Sequence, residues 1–281
     1  LKKRDKGIQF ISRHLNLFRC PVCKESYVKV EGGSVICPNL HNIDISKKGT
    51  LYFLNHAVNS EYDAEMLASR RRILTAGLFD PICEEVSQHM EENEVVLDVG
   101  SGEGTPLKKT LSLLKKATAV GFDISTAGIN LATQLNSEAF FCIADLANLP
   151  FNDNQFTTIL DLFSPSAYTE FHRVLSSGGQ VLKIVPNSNY LIELRHLLYE
   201  KTSQHADYQN DQVVELFKKR FSNAQTKRIT YDFKFDESLL SDLIQMTPLH
   251  WGATPQTLEL AKTSGLNHIT VDVTLLKGVK S

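Results

Sequence analysis

Long apolar runs, disulfide-forming cysteine sets and net charge are all scarce in this 281-residue chain. Uncharged apolar stretches such as Val95–Leu97 and Leu111–Leu114 are short. A membrane-crossing helix needs about 20 such residues, so no span and no membrane partner are expected. Residues 1–16 have no continuous apolar segment of the secretory kind, which argues for a cytoplasmic protein. The chain opens on Leu rather than Met, and a few native residues are expected to be missing or processed. Five cysteines are an odd number and fit a reducing compartment better than a disulfide framework. With 42% apolar and 22% charged residues the composition is ordinary for a globular protein, which excludes wholesale disorder and a collagen-like repeat. The length suits one large domain, or one domain and a small module.

The net charge of −2 does not by itself point to a polyanion, but its distribution is uneven. Residues 1–50 carry ten Lys/Arg and four Asp/Glu, net +6, and the remainder is net −8. Lys2, Lys3, Arg4 and Lys6 supply four of those ten. Two readings stand: an exposed basic tail over residues 1–16, or part of a module that contacts nucleic acid.

Three cysteines cluster as Cys20-Pro-Val-Cys23 and Cys37-Pro-Asn-Leu-His41. A C-x2-C turn places two thiolates on one knuckle, and a second Cys/His pair completes a tetrahedral zinc site. Tyr27–Ile36 reads as a hairpin turning at Gly32-Gly33, which brings the two pairs together. A redox CxxC is the competing reading, but the surrounding βαβ pattern that it needs is missing here. Cys20, Cys23, Cys37 and His41 make four ligands, so the zinc is expected to be structural and closed. Metal ligation would supply much of the folding energy of so small a module. Cys83 and Cys142, in apolar contexts, read as plain core thiols.

Residues 60–92 read as helical, starting near Ser60 with Glu61 and Asp63, breaking at Gly77 and reopening near Pro81. Arg70-Arg71-Arg72 between the apolar positions is either a solvated face or a phosphate contact. From Glu94 the pattern alternates. Strands are predicted over Val95–Val99, Ala117–Ile124, Ala139–Ile143, Thr157–Phe163 and Gly179–Val185. Helices are predicted over Pro106–Lys116, Ser125–Leu135 and Ala167–Leu175. Such a run argues an α/β fold with an open, mostly parallel sheet wound on both faces. Thr226–Phe235 and His268–Leu276 read as a closing antiparallel pair, with helices over Glu237–Ile244 and Pro255–Ser264.

Asp98-Val-Gly100-Ser-Gly102-Glu-Gly104 follows the first of these strands and precedes a helix. The glycines let backbone approach a ligand closely. Asp98 would repel a pyrophosphate but suits an ammonium, the chemistry expected for S-adenosylmethionine. Asp123, at the next strand end, can accept both ribose hydroxyls. Asp145, after the third strand, can accept from an adenine amine. Each aspartate taken singly reads equally well as a solvated loop residue or a helix cap. The ordered set does not, when joined to the Leu149-Pro-Phe151 turn and the Gly-Gly stretch in Val174–Val181.

At this point the sequence resembles class I S-adenosylmethionine-dependent methyltransferases over roughly Arg70–Leu276. With the knuckle in front, it resembles more narrowly the 23S ribosomal RNA (guanine-N1) methyltransferases with an N-terminal zinc module. The stretches that carry this are Cys20–Cys23, Cys37–His41, Asp63–Met66, Arg70–Gly77, Asp98–Gly104, Leu149–Phe151 and Met246-Thr-Pro-Leu-His-Trp251. The resemblance implies a Rossmann-like methyltransferase sheet behind a small zinc-ribbon-like domain, with a tail over 1–16, a zinc module over 17–55 and a catalytic domain over 56–281. It implies methylation of a guanine N1 in a 23S rRNA hairpin near the peptide exit tunnel, a homodimer, and, in one branch, an altered response to macrolides such as tylosin. Matching positions imply that Phe79, Gly102, Glu103 and Tyr190 line the cofactor site, and that Arg70 and Arg71 are the family's paired arginines, assigned here to RNA.

Two departures stand out. Ser176-Ser-Gly-Gly179 replaces the usual Lys-Pro-Gly-Gly, and Asp161 stands where some relatives carry a basic residue. Guanine N1 must lose a proton as the methyl arrives, and Asp161, at the sheet's carboxyl edge, is the candidate general base; a strand-end cap is its other reading. Trp251 is a candidate to stack on an unpaired base, as is Phe163 unless it is ordinary core. Two rival functions remain: a methyltransferase for a small molecule, and a non-catalytic zinc-dependent RNA-binding protein.

Overall fold

A computed structural model of the chain describes residues 1–55, 63–199 and 210–281. The expected helix start at Ser60 and the expected domain boundary at 55/56 fall on or against residues outside that description.

The first element is a helix, α1 (Lys3–Arg13), where an exposed tail was expected. It buries Gly7 and Ile11, an i, i+4 pair that the surrounding charges obscure in the sequence. Gly7 lies so close to Gly49 that a Cβ on it would sit 2.4 Å from the Gly49 carbonyl oxygen. The hairpin follows as expected: β1 (Lys29–Glu31) and β2 (Ser34–Ile36) are antiparallel, with Glu31 opposite Ser34. Gly32 and Gly33 both take positive φ, as a two-residue turn between twisted strands requires. A third strand, β3 (Asn42–Asp44), completes the small sheet, and β4 (Leu51–Tyr52) leaves it to join the main one.

Helix α2 (Ala64–Thr75) starts at Asp63, whose carboxylate accepts the Met66 N–H at 2.7 Å. Gly77 breaks the run at φ +111°, and α3 (Asp80–Ser87) opens with Pro81 in its first turn. Then come β5 (Glu94–Val99), α4 (Thr105–Ser112), β6 (Ala117–Asp123), α5 (Thr126–Ala132), β7 (Phe140–Ile143), β8 (Phe156–Leu162), α6 (Tyr168–Val174) and β9 (Leu175–Pro186). The chain continues through α7 (Ile192–Leu198), α8 (Asp211–Arg220), β10 (Gln225–Lys234), α9 (Leu240–Gln245), α10 (Pro255–Lys262) and β11 (His268–Val279). The main sheet has the order β10-β11-β9-β8-β5-β6-β7-β4. Strands β4 to β9 run parallel, and β11 and β10 close the far edge as an antiparallel pair.

The near-continuous apolar runs of the central strands follow from burial on both faces. Val96, Leu160 and Leu182 point into one core, and Leu97, Ile159 and Val181 into the other. The second core also takes Phe18, Tyr27, Val35 and Ile45 from the N-terminal module. Residues of the 17–55 module therefore share the second core with the main sheet. Phe18 makes a bridge to Phe151, and the Arg19 N–H donates to the Pro150 carbonyl at 3.0 Å. The Leu149-Pro-Phe151 turn is thus the seat of the module. Arg173 pins that turn, donating to the Phe151 carbonyl at 2.6 Å and the Leu149 carbonyl at 3.1 Å.

Candidate functional site

The four expected metal ligands come together. The sulfurs of Cys20, Cys23 and Cys37 and one ring nitrogen of His41 all lie within 4.8 Å of one another. Two tight turns bring them there, each relieved by a left-handed residue, Lys24 after the knuckle and Leu40 before His41. A zinc tetrahedron with Zn–S about 2.3 Å and Zn–N about 2.0–2.1 Å has S···S edges of about 3.8 Å and S···N edges of about 3.6 Å. The structure has Cys23 Sγ to Cys37 Sγ at 3.6 Å, and His41 Nδ1 to Cys37 and Cys20 Sγ at 3.5 and 3.7 Å. The cluster fits zinc in donor type, count and spacing.

A second site opens at the carboxyl ends of the parallel strands, a cavity of about 1060 Å³. Loops after β5, β6, β7, β8 and β9 wall it, and the stretch Met246–Gly252 forms its far side. Open α/β sheets bind their ligands at this edge. Gly100 is needed because its backbone meets the loop after β8: a Cβ would lie 2.2 Å from Ser164 Oγ. Gly102 has φ +54° and would meet nothing within 4 Å, so it presents bare backbone to the cavity.

Of the expected cofactor residues, Gly100, Gly102, Asp123, Asp145 and Tyr190 line this cavity. Asp123 accepts the Gly102 and Ser125 N–H groups at 2.8 and 2.7 Å, and burial still holds its pKa above the ordinary carboxylate value. Asp145 accepts the Ala147 N–H with one oxygen at 2.8 Å. Asp98 is not in the lining itself; it precedes the lining residue Val99 at the end of β5, is 3% exposed, and its carboxyl accepts no hydrogen bond among the described residues. Burial pushes its pKa well up, and the nearby Asp123, Asp161 and Glu103 add to this against the opposing pull of Arg70. A buried acceptor with nothing to accept from is suited to a cationic ligand group.

Phe79 stands behind the wall rather than in it. Its ring stacks on Phe163 at 5.0 Å, and Phe163 meets Tyr190 at 5.4 Å. Phe163 has a left-handed backbone, rare for a bulky residue, and the two neighbouring rings hold it there. It belongs to the wall, so the reading of a ring free to stack on RNA loses ground to that of a packed aromatic. Trp251 is 45% exposed at the cavity rim, on the short turn Pro248–Gly252.

Four expected residues have other employment. Glu103 is fully buried and accepts from Thr105 Oγ1 at 2.6 Å and from Arg71 Nε at 3.1 Å. Arg71 also donates to the Glu103 carbonyl at 2.8 Å, so it clasps the glycine loop to α2 and does not present itself to RNA. Gly104 caps α4 in a left-handed conformation, outside the cavity. Asp161 is fully buried, accepts from Ser166 Oγ at 2.6 Å, and pairs with Lys183 Nζ at 2.9 Å. Like Asp98 it is absent from the cavity lining, but its Oδ2 is already held by Ser166 and Lys183, which gives it an anchoring role, while its Oδ1 has no partner among the described residues. Lys183 also donates to the Ser164 carbonyl at 2.7 Å, so the pair anchors the loop after β8.

Asn187 lines the cavity and was not anticipated. Its amide donates to Asp272 at 2.8 Å and accepts from Thr274 and Asn210 at 2.8 and 2.9 Å. The signal was Asp272 itself, an acid inside an apolar strand that can be buried only with partners.

A sequence family described as a methyltransferase domain matches residues 90–237. The chain is 36% identical, over 94% of its length and 98% of the relative's, to the candidate 23S rRNA (guanine-N1)-methyltransferase YxjB of Bacillus subtilis (strain 168). It is 24% identical to the 23S rRNA (guanine(748)-N1)-methyltransferase of Streptomyces fradiae, over 91% of this chain and 94% of that one. Among solved structures, phosphoethanolamine N-methyltransferase 2 of Haemonchus contortus, in complex with S-adenosyl-L-methionine, shares the fold with a TM-score of 0.52 at 15% identity, covering 79% of this chain and 58% of that one.

Proposed function

The chain belongs to the methyltransferase family whose relatives bear the name 23S rRNA (guanine-N1)-methyltransferase, and from that premise we propose that it methylates N1 of a guanine in 23S rRNA. The observation that carries this is one cavity, opening toward a rim with an exposed tryptophan, where Asp123 and Asp145 follow two successive strands and the donor-less Asp98 stands at the end of the strand before them. S-adenosylmethionine, when bound, supplies an electrophilic methyl on a sulfonium. Asp98 takes the ammonium end, Asp123 the ribose hydroxyls and Asp145 the adenine amine. The Gly100–Gly102 backbone sits against the ligand. Displacement in line gains most from orientation, which is what the rigid strand-end loops provide. Asp161 and Lys183 hold the Phe163–Pro165 loop that would face the target base, and Trp251 at the rim stacks on a base once it leaves its helix. Unstacking that base costs a few kcal/mol, which favours an unpaired guanine in a hairpin loop.

Zinc on Cys20, Cys23, Cys37 and His41 is structural in this reading, since four protein ligands close the tetrahedron. The enzyme works in the cytoplasm, where its rRNA is, and as a homodimer. A non-catalytic RNA-binding role would leave the donor-less Asp98 unexplained. A small-molecule methyltransferase would have no use for the basic zinc module. Mass mapping of 23S rRNA from cells with and without the gene tests the reading. One guanine N1 methyl should vanish with the gene, and an unchanged methylation map would overturn it.

A further inference from the structure

The methionine end of S-adenosylmethionine is a zwitterion, and Asp98 answers only its cationic half. The other half needs a cation beside the glycine loop. Glu103 already has Arg71, and Asp161 already has Lys183. Arg72 is taken by Asp242 at 2.5 Å, and Arg195, which also lines the cavity, donates to the Ser188 carbonyl. Arg70 differs. It lines the cavity, half-buried, and among the described residues its main neighbour is the face of Phe79, 5.5 Å from the guanidinium carbon to the ring centroid. Its charge reaches Asp98, Asp123 and Tyr190 without forming a salt bridge with the two acids. A guanidinium resting on an aromatic face is oriented at little entropic cost and presents a planar fork of donors. A carboxylate matches that fork with two parallel hydrogen bonds.

We propose that Arg70 grips the α-carboxylate of S-adenosylmethionine, opposite Asp98 on the ammonium, and so belongs to the cofactor site rather than to the RNA surface. The inference rests on the cofactor reading above. It makes the α2 arginines three different devices: Arg70 for the ligand, Arg71 for the glycine loop, Arg72 for α9.

Calorimetry with three ligands tests it. S-adenosylhomocysteine has the whole zwitterion, decarboxylated S-adenosylmethionine has only the amine, and 5′-methylthioadenosine has neither charge. Arg70→Met should weaken S-adenosylhomocysteine by about 10- to 100-fold, the usual worth of a charge-assisted pair. It should leave the other two ligands within about twofold, a difference too small for a lost charge-assisted bond. Arg70→Lys, which keeps the charge and loses the fork, should fall between wild type and Arg70→Met, and serves alone if the Met variant does not fold. The salt dependence of RNA binding should not change in either variant. Wild-type affinity for S-adenosylhomocysteine in both variants would overturn the assignment, and so would an equal loss for all three ligands. An RNA salt slope lowered by one phosphate with cofactor affinity intact would return Arg70 to RNA. If the wild-type protein binds S-adenosylhomocysteine not at all, the cofactor reading falls, and the assignment of Arg70 with it.

Discussion

At the scale of single residues, the cavity is governed by which charges are already spent. Asp98 is an acid held above its ordinary pKa by burial and by neighbouring carboxylates. An ammonium ligand favours its ionised form, so binding must expel a proton whenever the pH is below the pKa of the free carboxyl. The sign is therefore fixed: affinity for S-adenosylhomocysteine rises with pH through the titration of Asp98 and levels off above it. Calorimetry in two buffers of different ionisation heat reads the released proton directly. Asp98→Asn should abolish that release and cost about 10- to 100-fold in affinity. A wild-type affinity that is flat across the acidic range would mean that Asp98 does not meet the ammonium. Asp161 and Lys183 need a different experiment. Removing one partner of a buried pair leaves an uncompensated charge, at roughly 3–5 kcal/mol, whereas removing both is far milder. Asp161→Asn should thus destabilise the protein to urea, and Asp161→Asn with Lys183→Met should recover much of the loss. If that folded double variant retains measurable methyl transfer, Asp161 is an anchor. If it is folded, binds both substrates and is inert at every pH, Asp161 is the base after all.

At the scale of elements, the parallel strands and most of their helices were legible because their periodicities are undisturbed by function. Strand ends fell within a residue or two of expectation for β5 to β8. Strand β9 begins four residues early, since Ser176-Ser-Gly-Gly179 runs into it rather than turning away. The carboxylates at the strand ends were legible for the same reason, as position along an open sheet dictates position around the ligand. What the sequence concealed was partnership. Nothing in Arg70-Arg71-Arg72 tells which guanidinium meets Glu103, because that depends on how α2 rolls against α4. Helix α1 was hidden because two buried positions among so many charges make a weak stripe. The docking of the zinc module was hidden too, and it changes what metal loss should do. Phe18, Arg19 and Ser26 brace residues 150–152, and that segment begins five residues after Asp145. Stripping the metal with a chelator, or replacing Cys20 by Ser, should therefore raise hydrogen exchange in residues 146–152 as well as in residues 17–45, and weaken S-adenosylhomocysteine at its adenine end. Loss of protection confined to the module, with cofactor affinity untouched, would show instead that the two parts are energetically separate. Metal analysis of the untreated protein should find one zinc per chain.

At the scale of the whole molecule, the charge asymmetry becomes a surface. The close approach of Gly7 and Gly49 brings the start of α1 against the 46–50 turn, so the exposed Lys2, Lys3 and Lys6 stand at the start of a helix that adjoins the turn carrying the exposed Lys47 and Lys48. None of these five ammonium groups has an ion-pair partner among the described residues. Arg19 and Lys29, by contrast, are already bound to Asp153 and Glu31. Uncompensated cations on two adjoining segments are what a phosphodiester backbone needs, and they act independently of sequence. Deleting residues 1–50 would be a poor test, because it would strip Phe18, Tyr27 and Val35 from the second core and expose Phe151. Replacing the five lysines by Gln keeps that core. Every phosphate that is no longer neutralised should lower the log–log salt slope of RNA binding by roughly 0.7–0.9. A fall of about 2 to 4 is expected if most of the five lysines touch RNA at once. Affinity should drop similarly for a 23S rRNA hairpin and for an unrelated one, because phosphate contacts position without specifying. Methyl transfer at saturating RNA should keep its choice of guanine, since the cavity is untouched. An unchanged slope would make the patch a solvated face and leave the zinc module with a bracing role alone. A lost choice of guanine would mean that this surface sets which base reaches the cavity.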